Sequence, residues 1–122
     1  MIVDPIRVCE LLVGLGAVTV LGAVDEPDGP VRVHVETRVP RPLCPTCGSV
    51  VWAKDQRSVE LVDLPAFGRP ARLVWHKRRW SCPTALCTVG SFTETAAHIA
   101  SARLVMTDRA GRWVTEQVGR WH

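Results

Sequence analysis

The sequence predicts an α+β fold: a small, mostly antiparallel sheet with a helix at each end and two cysteine-bearing loops. Three observations support this prediction. Segments rich in β-branched residues alternate with turn sequences, apolar residues recur at helical spacing near both termini, and four cysteines form two close pairs. The 122 residues, 47% hydrophobic and 22% charged, fit a compact domain and exclude a disordered or collagen-like chain.

Residues 1–39 are expected to form a helix followed by a β-hairpin. Asp4-Pro5 supplies an N-cap and a first-turn proline, and the apolar spacing after it predicts a short helix ending near Gly14 or Gly16. Residues 17–24 and 31–37 are apolar and β-branched, and Pro27-Asp28-Gly29-Pro30 lies between them. Valines alternate with polar residues in the second strand, which predicts one buried face and one solvated face.

Residues 40–103 are expected to form a second region with short strands at 50–54, 58–64, 71–80 and 91–94, and a turn at 63–70. The strand at 71–80 is the clearest, and it leads directly to Cys82. Its alternation predicts one face with Arg72, Val74, His76, Arg78 and Trp80, and another with Leu73, Trp75, Lys77 and Arg79.

Residues 104–122 are expected to form a helix that Thr107-Asp108 caps and that runs to about Gly119. Its apolar stripe leaves two outcomes open. The helix either folds back on the sheet or begins a further module, the first part of a helix-turn-helix. Self-association through this helix is a further expectation. The stripe consists of Ala110, Trp113, Val114, Gln117, Val118 and Trp121.

The two cysteine pairs predict one structural zinc site. Cys44-Pro-Thr-Cys47 and Cys82-Pro-Thr-Ala-Leu-Cys87 are separated by 34 residues, and each spacing lets a tight turn aim two sulfurs at one metal. Gly48 suits such a turn because it can adopt a positive φ. Disulfide bonds in a secreted protein, or another metal or redox use, are the alternatives. The fifth cysteine, Cys9, is expected to be a small buried hydrophobe.

No catalytic constellation is evident in the sequence, and we expect this chain not to be an enzyme. Zinc held by four thiolates has no open coordination position at which to activate water or substrate. The apolar run at residues 11–24 follows acidic residues and is shorter than a membrane span, so neither an export signal nor a membrane segment is predicted. A cytoplasmic location follows as an expectation.

The formal net charge of +3 is unevenly distributed. Residues 1–37 carry a net charge of −4, residues 38–80 carry +6 and residues 81–122 carry +1. The cationic middle region is typical of a polyanion binder, although a solvated face has the same composition. The residues expected to contact nucleic acid are Arg72, Lys77, Arg78, Arg79 and Trp80, with Trp80 a candidate either for base stacking or for the core.

An ordered set of segments resembles the N-terminal zinc-finger domain of bacterial insertion-sequence transposases of the ISL-three family. The segments are Cys44-Pro-Thr-Cys47-Gly48, Val62-Asp63-Leu64-Pro65-Ala66-Phe67-Gly68, Arg78-Arg79-Trp80-Ser81-Cys82, and Cys87 through Phe92-Thr93-Glu94. The resemblance covers about residues 40–95, and the helix from Thr107 is similar to the start of the helix-turn-helix that follows in that family.

The resemblance implies that Cys44, Cys47, Cys82 and Cys87 bind zinc. It also implies that the domain recognises double-stranded DNA at the terminal inverted repeats of the element during DNA transposition. Transposases of this family continue into a ribonuclease-H-like catalytic domain that this sequence does not contain, so a non-catalytic DNA-binding module is expected. The alternatives are a protein-interaction or regulatory zinc ribbon and an RNA-binding zinc ribbon.

Overall fold

The computed structural model describes residues 13–66, 68–100 and 105–120, which form one five-stranded sheet and a C-terminal helix. The strand order is β1-β2-β4-β3, and β5 pairs with β4. The elements are β1 (Val18–Asp25), β2 (Val31–Thr37), β3 (Trp52–Ala66), β4 (Arg69–Ser81), β5 (Ser91–Thr93) and α1 (Asp108–Arg120).

Two antiparallel hairpins, β1-β2 and β3-β4, are joined by parallel pairing of β2 with β4. The pairing aligns Val31 with Ala71 and Val35 with Trp75. The α+β class and the mostly antiparallel sheet predicted from the sequence are confirmed. Because β2 and β4 share this sheet, it runs across the boundary expected at residue 39, and the three-part domain division stays a prediction.

The second hairpin is longer than predicted. The strands expected at 50–54 and 58–64 are a single strand of 15 residues, β3, because β4 provides a hydrogen-bonding partner along its length. Register shifts fall between Ala53 and Asp55 and between Asp63 and Ala66, and the second accommodates Pro65, which cannot donate to a ladder. The predicted turn at 63–70 is correspondingly shorter, with Gly68 at φ 71°.

One face of the sheet is the main core, and residues 96–100 cover it. Leu61, Leu73 and Trp75 are at most 2% exposed and pack with the valines of β1 and β2 beneath Ile99. Burial of side chains of this size contributes about 1.5–3 kcal/mol each. The alternation predicted for β2 is confirmed, since its odd-numbered residues are buried and its even-numbered ones are partly exposed.

The opposite face carries polar cross-strand pairs. Arg32 Nε donates to Glu60 Oε1 at 2.5 Å, and His34 Nδ1 lies 2.8 Å from His76 Nε2. Ser58 Oγ lies 3.2 Å from His76 Nδ1. Acidic and basic groups offset one another on this face, so it does not form a cationic surface.

The segment before α1 fixes the helix to the outer edge of β3. Val62 N donates to Val105 O at 2.8 Å, and Thr107 N donates to Val62 O at 2.9 Å. Thr107 Oγ1 accepts from Ala110 N at 3.3 Å, which is the N-cap predicted from the sequence. Arg109 Nη2 and Nε donate to the two oxygens of Asp63 at 2.6 and 2.9 Å, so an ion pair completes the attachment.

The first turn of α1 contacts the sheet through the ion pair of Arg109 with Asp63, and much of the apolar stripe beyond it is exposed. Ala110 is buried, whereas Trp113 is 51% exposed and Val118 is 53% exposed. The predicted self-association through this stripe stays a prediction. The helix expected near the N-terminus, with Cys9, lies outside the described residues. Within the described ranges, no helix is long and apolar enough to cross a bilayer.

The ion pair of Asp63 predicts a pH-dependent contribution to stability. Burial raises the pKa of Asp63, but hydrogen bonds from Arg109 and Thr107 lower that pKa by more, so it lies below its usual value. A lowered pKa means that the ionised carboxylate stabilises the fold at neutral pH, and that this stabilisation is lost as the pH falls through the folded-state pKa.

We therefore expect Asp63→Asn to lower the free energy of unfolding by about 1–3 kcal/mol at pH 7, and to differ less from the parent near pH 3. Urea denaturation at both pH values measures the difference. Asp108→Asn is the control, because Asp108 pairs within α1 with Arg112, whose side chain is 75% exposed, and does not connect the helix to β3. Equal stability of Asp63→Asn and parent at pH 7 would show that this ion pair does not hold the helix.

Candidate functional site

The first cysteine pair lies on a tight turn before β3, which we call the first knuckle (residues 43–50). Leu43 and Val50 form an isolated antiparallel bridge that closes the turn. Inside it, Cys44 N donates to Ser49 O and Gly48 N donates to Cys44 O, both at 2.9 Å. Gly48 has a φ of 74°, the left-handed conformation expected at this position.

The second cysteine pair follows β4 directly and forms the second knuckle (residues 82–90). Cys82 N donates to Gly90 O at 2.9 Å, and Cys87 N donates to Thr84 O at 3.1 Å. Gly90, at φ 62°, reverses the chain into β5. Since β3 and β4 are hydrogen-bonded neighbours, the beginning of one and the end of the other bring the two knuckles together.

The four sulfurs form one compact cluster. All four Sγ atoms lie within 4.8 Å of one another. The Cys44–Cys87 and Cys47–Cys82 distances are both 3.6 Å, so each short contact joins the two knuckles. A zinc tetrahedron with Zn–S bonds of about 2.3 Å has S–S edges of about 3.8 Å, whereas a disulfide requires about 2.05 Å. The cysteines are positioned to bind zinc, as the sequence predicts.

A small apolar cluster supports this metal centre. Cys44, Val51 and Trp80 are each at most 4% exposed and pack with Val89 and Phe92. This cluster is separate from the main core beneath Ile99. It fixes the inner side of the cysteine quartet, while Cys47 faces solvent.

Hydrogen bonds around the sulfurs favour the thiolate form at the first knuckle. The Ser49 hydroxyl lies 3.2 Å from Cys47 Sγ and lowers the pKa of Cys47 to about 6. Thr84 Oγ1 donates to Ser49 Oγ at 2.9 Å. The Cys47 amide likewise lowers the pKa of Cys44. This hydrogen-bond chain also connects the two knuckles.

The pKa of Cys87 is raised, which indicates that the metal-free quartet does not hold four thiolates at neutral pH. The Val89 amide lowers the pKa of Cys87, but burial and the neighbouring thiols raise it by more, to about 12. Four adjacent thiolates repel one another, so protons remain on part of the metal-free cluster. A divalent cation at its centre replaces those protons, as zinc does when it binds cysteine sites.

Basic residues expected to bind nucleic acid lie beside this centre but on two faces of the sheet. Lys77 and Arg79 share the face of Trp75, and the Lys77 ammonium lies 4.5 Å from the Trp75 ring centroid. Arg57 pairs with Lys77 across β3 and β4, and Asp55 pairs with Arg79. Arg57, Lys77 and Arg79 therefore form a continuous strip, which we call the cationic strip.

The other three residues expected to contact nucleic acid, Arg72, Arg78 and Trp80, lie outside the cationic strip. Arg72 lies on the polar face, beside Arg32 of β2. Arg78 Nε donates to Glu94 Oε2 at 3.0 Å, and the Arg78 amide donates to the other oxygen of that buried carboxylate. Trp80 is 4% exposed and belongs to the apolar cluster beneath the cysteines, so its ring is not available at the surface.

Trp52 is an exposed aromatic residue at the site that the sequence analysis did not identify. It follows buried Val51, is 57% exposed, and has the Arg41 guanidinium 5.8 Å from its ring centroid. Alternation from the predicted strand at 50–54 could have marked Trp52 and Val50 as a pair facing away from Val51.

Replacing Cys82 by serine is expected to abolish zinc binding and to disorder both knuckles, because a hydroxyl does not replace a thiolate ligand. The reduced parent should contain one zinc per chain by elemental analysis, and the variant should contain none. Both the variant and chelator-treated parent should lose part of the near-ultraviolet circular dichroism of the parent, because buried Trp80 packs beside the knuckles. A metal-free parent that keeps this signal would contradict the structural role of zinc.

Ser49→Ala is expected to weaken zinc binding about 10-fold, because groups that hydrogen-bond to metal ligands contribute about 10–100-fold to affinity. Competition with a chromophoric chelator measures the affinity. Ser58→Ala is the matched control, since Ser58 lies further along β3 and contacts His76. Equal affinities of the two variants would mean that the Ser49 hydroxyl does not support Cys47.

Comparison with known proteins agrees with this geometry. Residues 40–87 match the family model of the zinc-finger of transposase IS204/IS1001/IS1096/IS1165, and this range contains all four cysteines. A search of curated proteins found no match, and neither did a search of solved structures. Over residues 40–87, this chain is therefore similar to the zinc-finger domain of the IS204/IS1001/IS1096/IS1165 transposases.

Proposed function

We propose that this chain contributes DNA binding to a transposase and recognises the terminal inverted repeats of its element. The family of residues 40–87 supports the connection to transposition. The alignment of Arg57, Lys77 and Arg79 across β3 and β4, beside the zinc centre, is the observation that carries the DNA-binding proposal.

The cationic strip contains a like-charge pair that is unfavourable for the stability of the sheet, and DNA binding would account for it. Arg57 lies directly opposite Lys77, and like charges at paired positions destabilise a sheet. Arg57 is exposed and makes no ion pair with any described residue, whereas Asp55 offsets only Arg79, at 3.2 Å. Phosphate groups would relieve this repulsion and release counterions on binding.

Zinc acts as a structural brace in this proposal. Four thiolates fill its coordination shell, so no position remains for water or substrate. Its contribution is to hold the start of β3 and the end of β4 together, which fixes the spacing of the strip. Loss of zinc should therefore reduce DNA binding by disordering the surface, without removing a DNA contact.

The proposed surface includes only part of the set expected from the sequence. Arg78 is left out because it pairs with the Glu94 carboxylate, whose side chain is only 4% exposed. Replacing Arg78 would leave that buried charge unpaired, so the fold requires Arg78 whether or not DNA is bound. Trp80 is left out because it is buried, and Arg72 because it lies on the opposite face. Lys77 and Arg79 remain, and Arg57 joins them.

Replacing both Arg57 and Lys77 by glutamine is expected to weaken binding to an element-end duplex and to reduce its salt dependence. Each lost phosphate contact lowers the slope of log K against log salt by about 0.9, so the double variant should lose nearly two units. Fluorescence anisotropy at several salt concentrations measures both quantities. Circular dichroism and zinc content should match those of the parent.

The matched control replaces Arg72 and Arg112 by glutamine, which removes the same charge from positions outside the strip. This control should keep the parent slope. An equal loss in both double variants would show that net charge, and not the strip, determines binding. Titration with structured RNA and random duplex distinguishes the alternative of an RNA-binding ribbon, for which RNA would bind more tightly than either DNA.

A further inference from the structure

Trp52 lies at the end of a series of cation–π contacts that leads from the protein interior to the surface. The Arg78 guanidinium lies 5.1 Å from the Trp80 ring centroid, and the Arg41 guanidinium lies 5.8 Å from the centroids of both Trp80 and Trp52. Arg78 is itself held by the buried carboxylate of Glu94. The exposed end of this series is thereby anchored to the rigid part of the fold.

We infer that Trp52 stacks on an unpaired nucleobase at the edge of a bound DNA duplex, an inference that rests on the proposed DNA-binding function. A tryptophan ring accepts any base on its π-face, and an unpaired base offers that face most freely because bases inside a duplex are covered by their neighbours. The ligand class is therefore an unpaired nucleotide adjoining double-stranded DNA, such as a frayed or overhanging end.

The fold does not require Trp52 for its core. Val51 and Trp80 fill the cluster beneath the cysteines and are at most 4% exposed, while Trp52 is 57% exposed. Exposing a large aromatic ring forgoes its burial energy. A binding role accounts for its presence, because an aromatic held in place by neighbours loses little side-chain entropy when a ligand stacks on it.

The charges around Trp52 favour a polyanion over an apolar protein segment. Arg41 lies against the ring, exposed Lys54 follows two residues later, and the cationic strip begins at Arg57 on the same strand. Register places Trp52 opposite Ser81, two residues past Arg79 and so about 7 Å further along the strands. A strand whose phosphates follow the strip would reach Trp52 with its terminal nucleotide.

The test compares a blunt duplex with the same duplex carrying a four-nucleotide overhang, using anisotropy and the zinc-loaded full chain. The parent should bind the overhang duplex at least fivefold more tightly, since stacking on one aromatic contributes at least that factor. Trp52→Ala should lose this preference and keep its affinity for blunt duplex within about twofold. Trp52→Phe should recover part of the preference.

Trp113→Ala is the control, because Trp113 is 51% exposed on α1 and lies outside the zinc centre. It should behave as the parent does. Equal affinity of the parent for both duplexes, or an overhang preference that survives in Trp52→Ala, would overturn the inference. If the parent binds overhang and single-stranded DNA through Trp52 but binds no blunt duplex, the stacking role stands and the proposed duplex recognition fails.

Discussion

The convergence of four sulfurs at the junction of two strands is the constraint on which the rest of this site depends. Cys82 directly follows β4, and the first knuckle directly precedes β3, so a single cluster closes the end of the longest hairpin. This end has only a small apolar cluster of its own. Metal binding therefore supplies folding free energy where hydrophobic burial is limited, and it fixes the cationic strip and Trp52 relative to one another.

The central strand β4 explains why adjacent basic residues have different roles. It pairs with β2, β3 and β5, and because side chains of a strand alternate between its two faces, successive residues of β4 meet two different environments. Arg78 faces the buried Glu94 and stabilises the connection to β5, whereas Arg79 faces the strip and pairs with exposed Asp55. One residue of register thus separates a structural arginine from a candidate DNA contact.

Local patterns were sufficient to predict the first hairpin and the Thr107 cap, because each depends on residues close in sequence. The cysteine quartet joins two distant pairs, but the short spacing within each pair was enough to identify its ligands. The parallel pairing of β2 with β4 and the continuity of β3 depend on tertiary partners, and no local propensity encodes them. The same dependence on tertiary partners explains why the surroundings of Arg78 and Trp80 were not predicted. Charge and aromatic character suggested DNA contacts, but the carboxylate that binds Arg78 lies 16 residues away, and the burial of Trp80 depends on packing against both knuckles.

Charged groups are offset on one face of the sheet but not along the cationic strip. On the polar face, Arg32 lies beside Arg72 but donates to Glu60, so a carboxylate offsets the like charges there, and His34 contacts His76. At the knuckle end, Arg57 opposes Lys77 and Trp52 remains exposed, and neither arrangement improves stability. Natural sequences depart from local stability rules mainly at functional sites. The like-charge pair of Arg57 with Lys77 and the exposed Trp52 both lie in the segment that matches the transposase zinc finger. Binding of a ligand at this end of the sheet would account for both features.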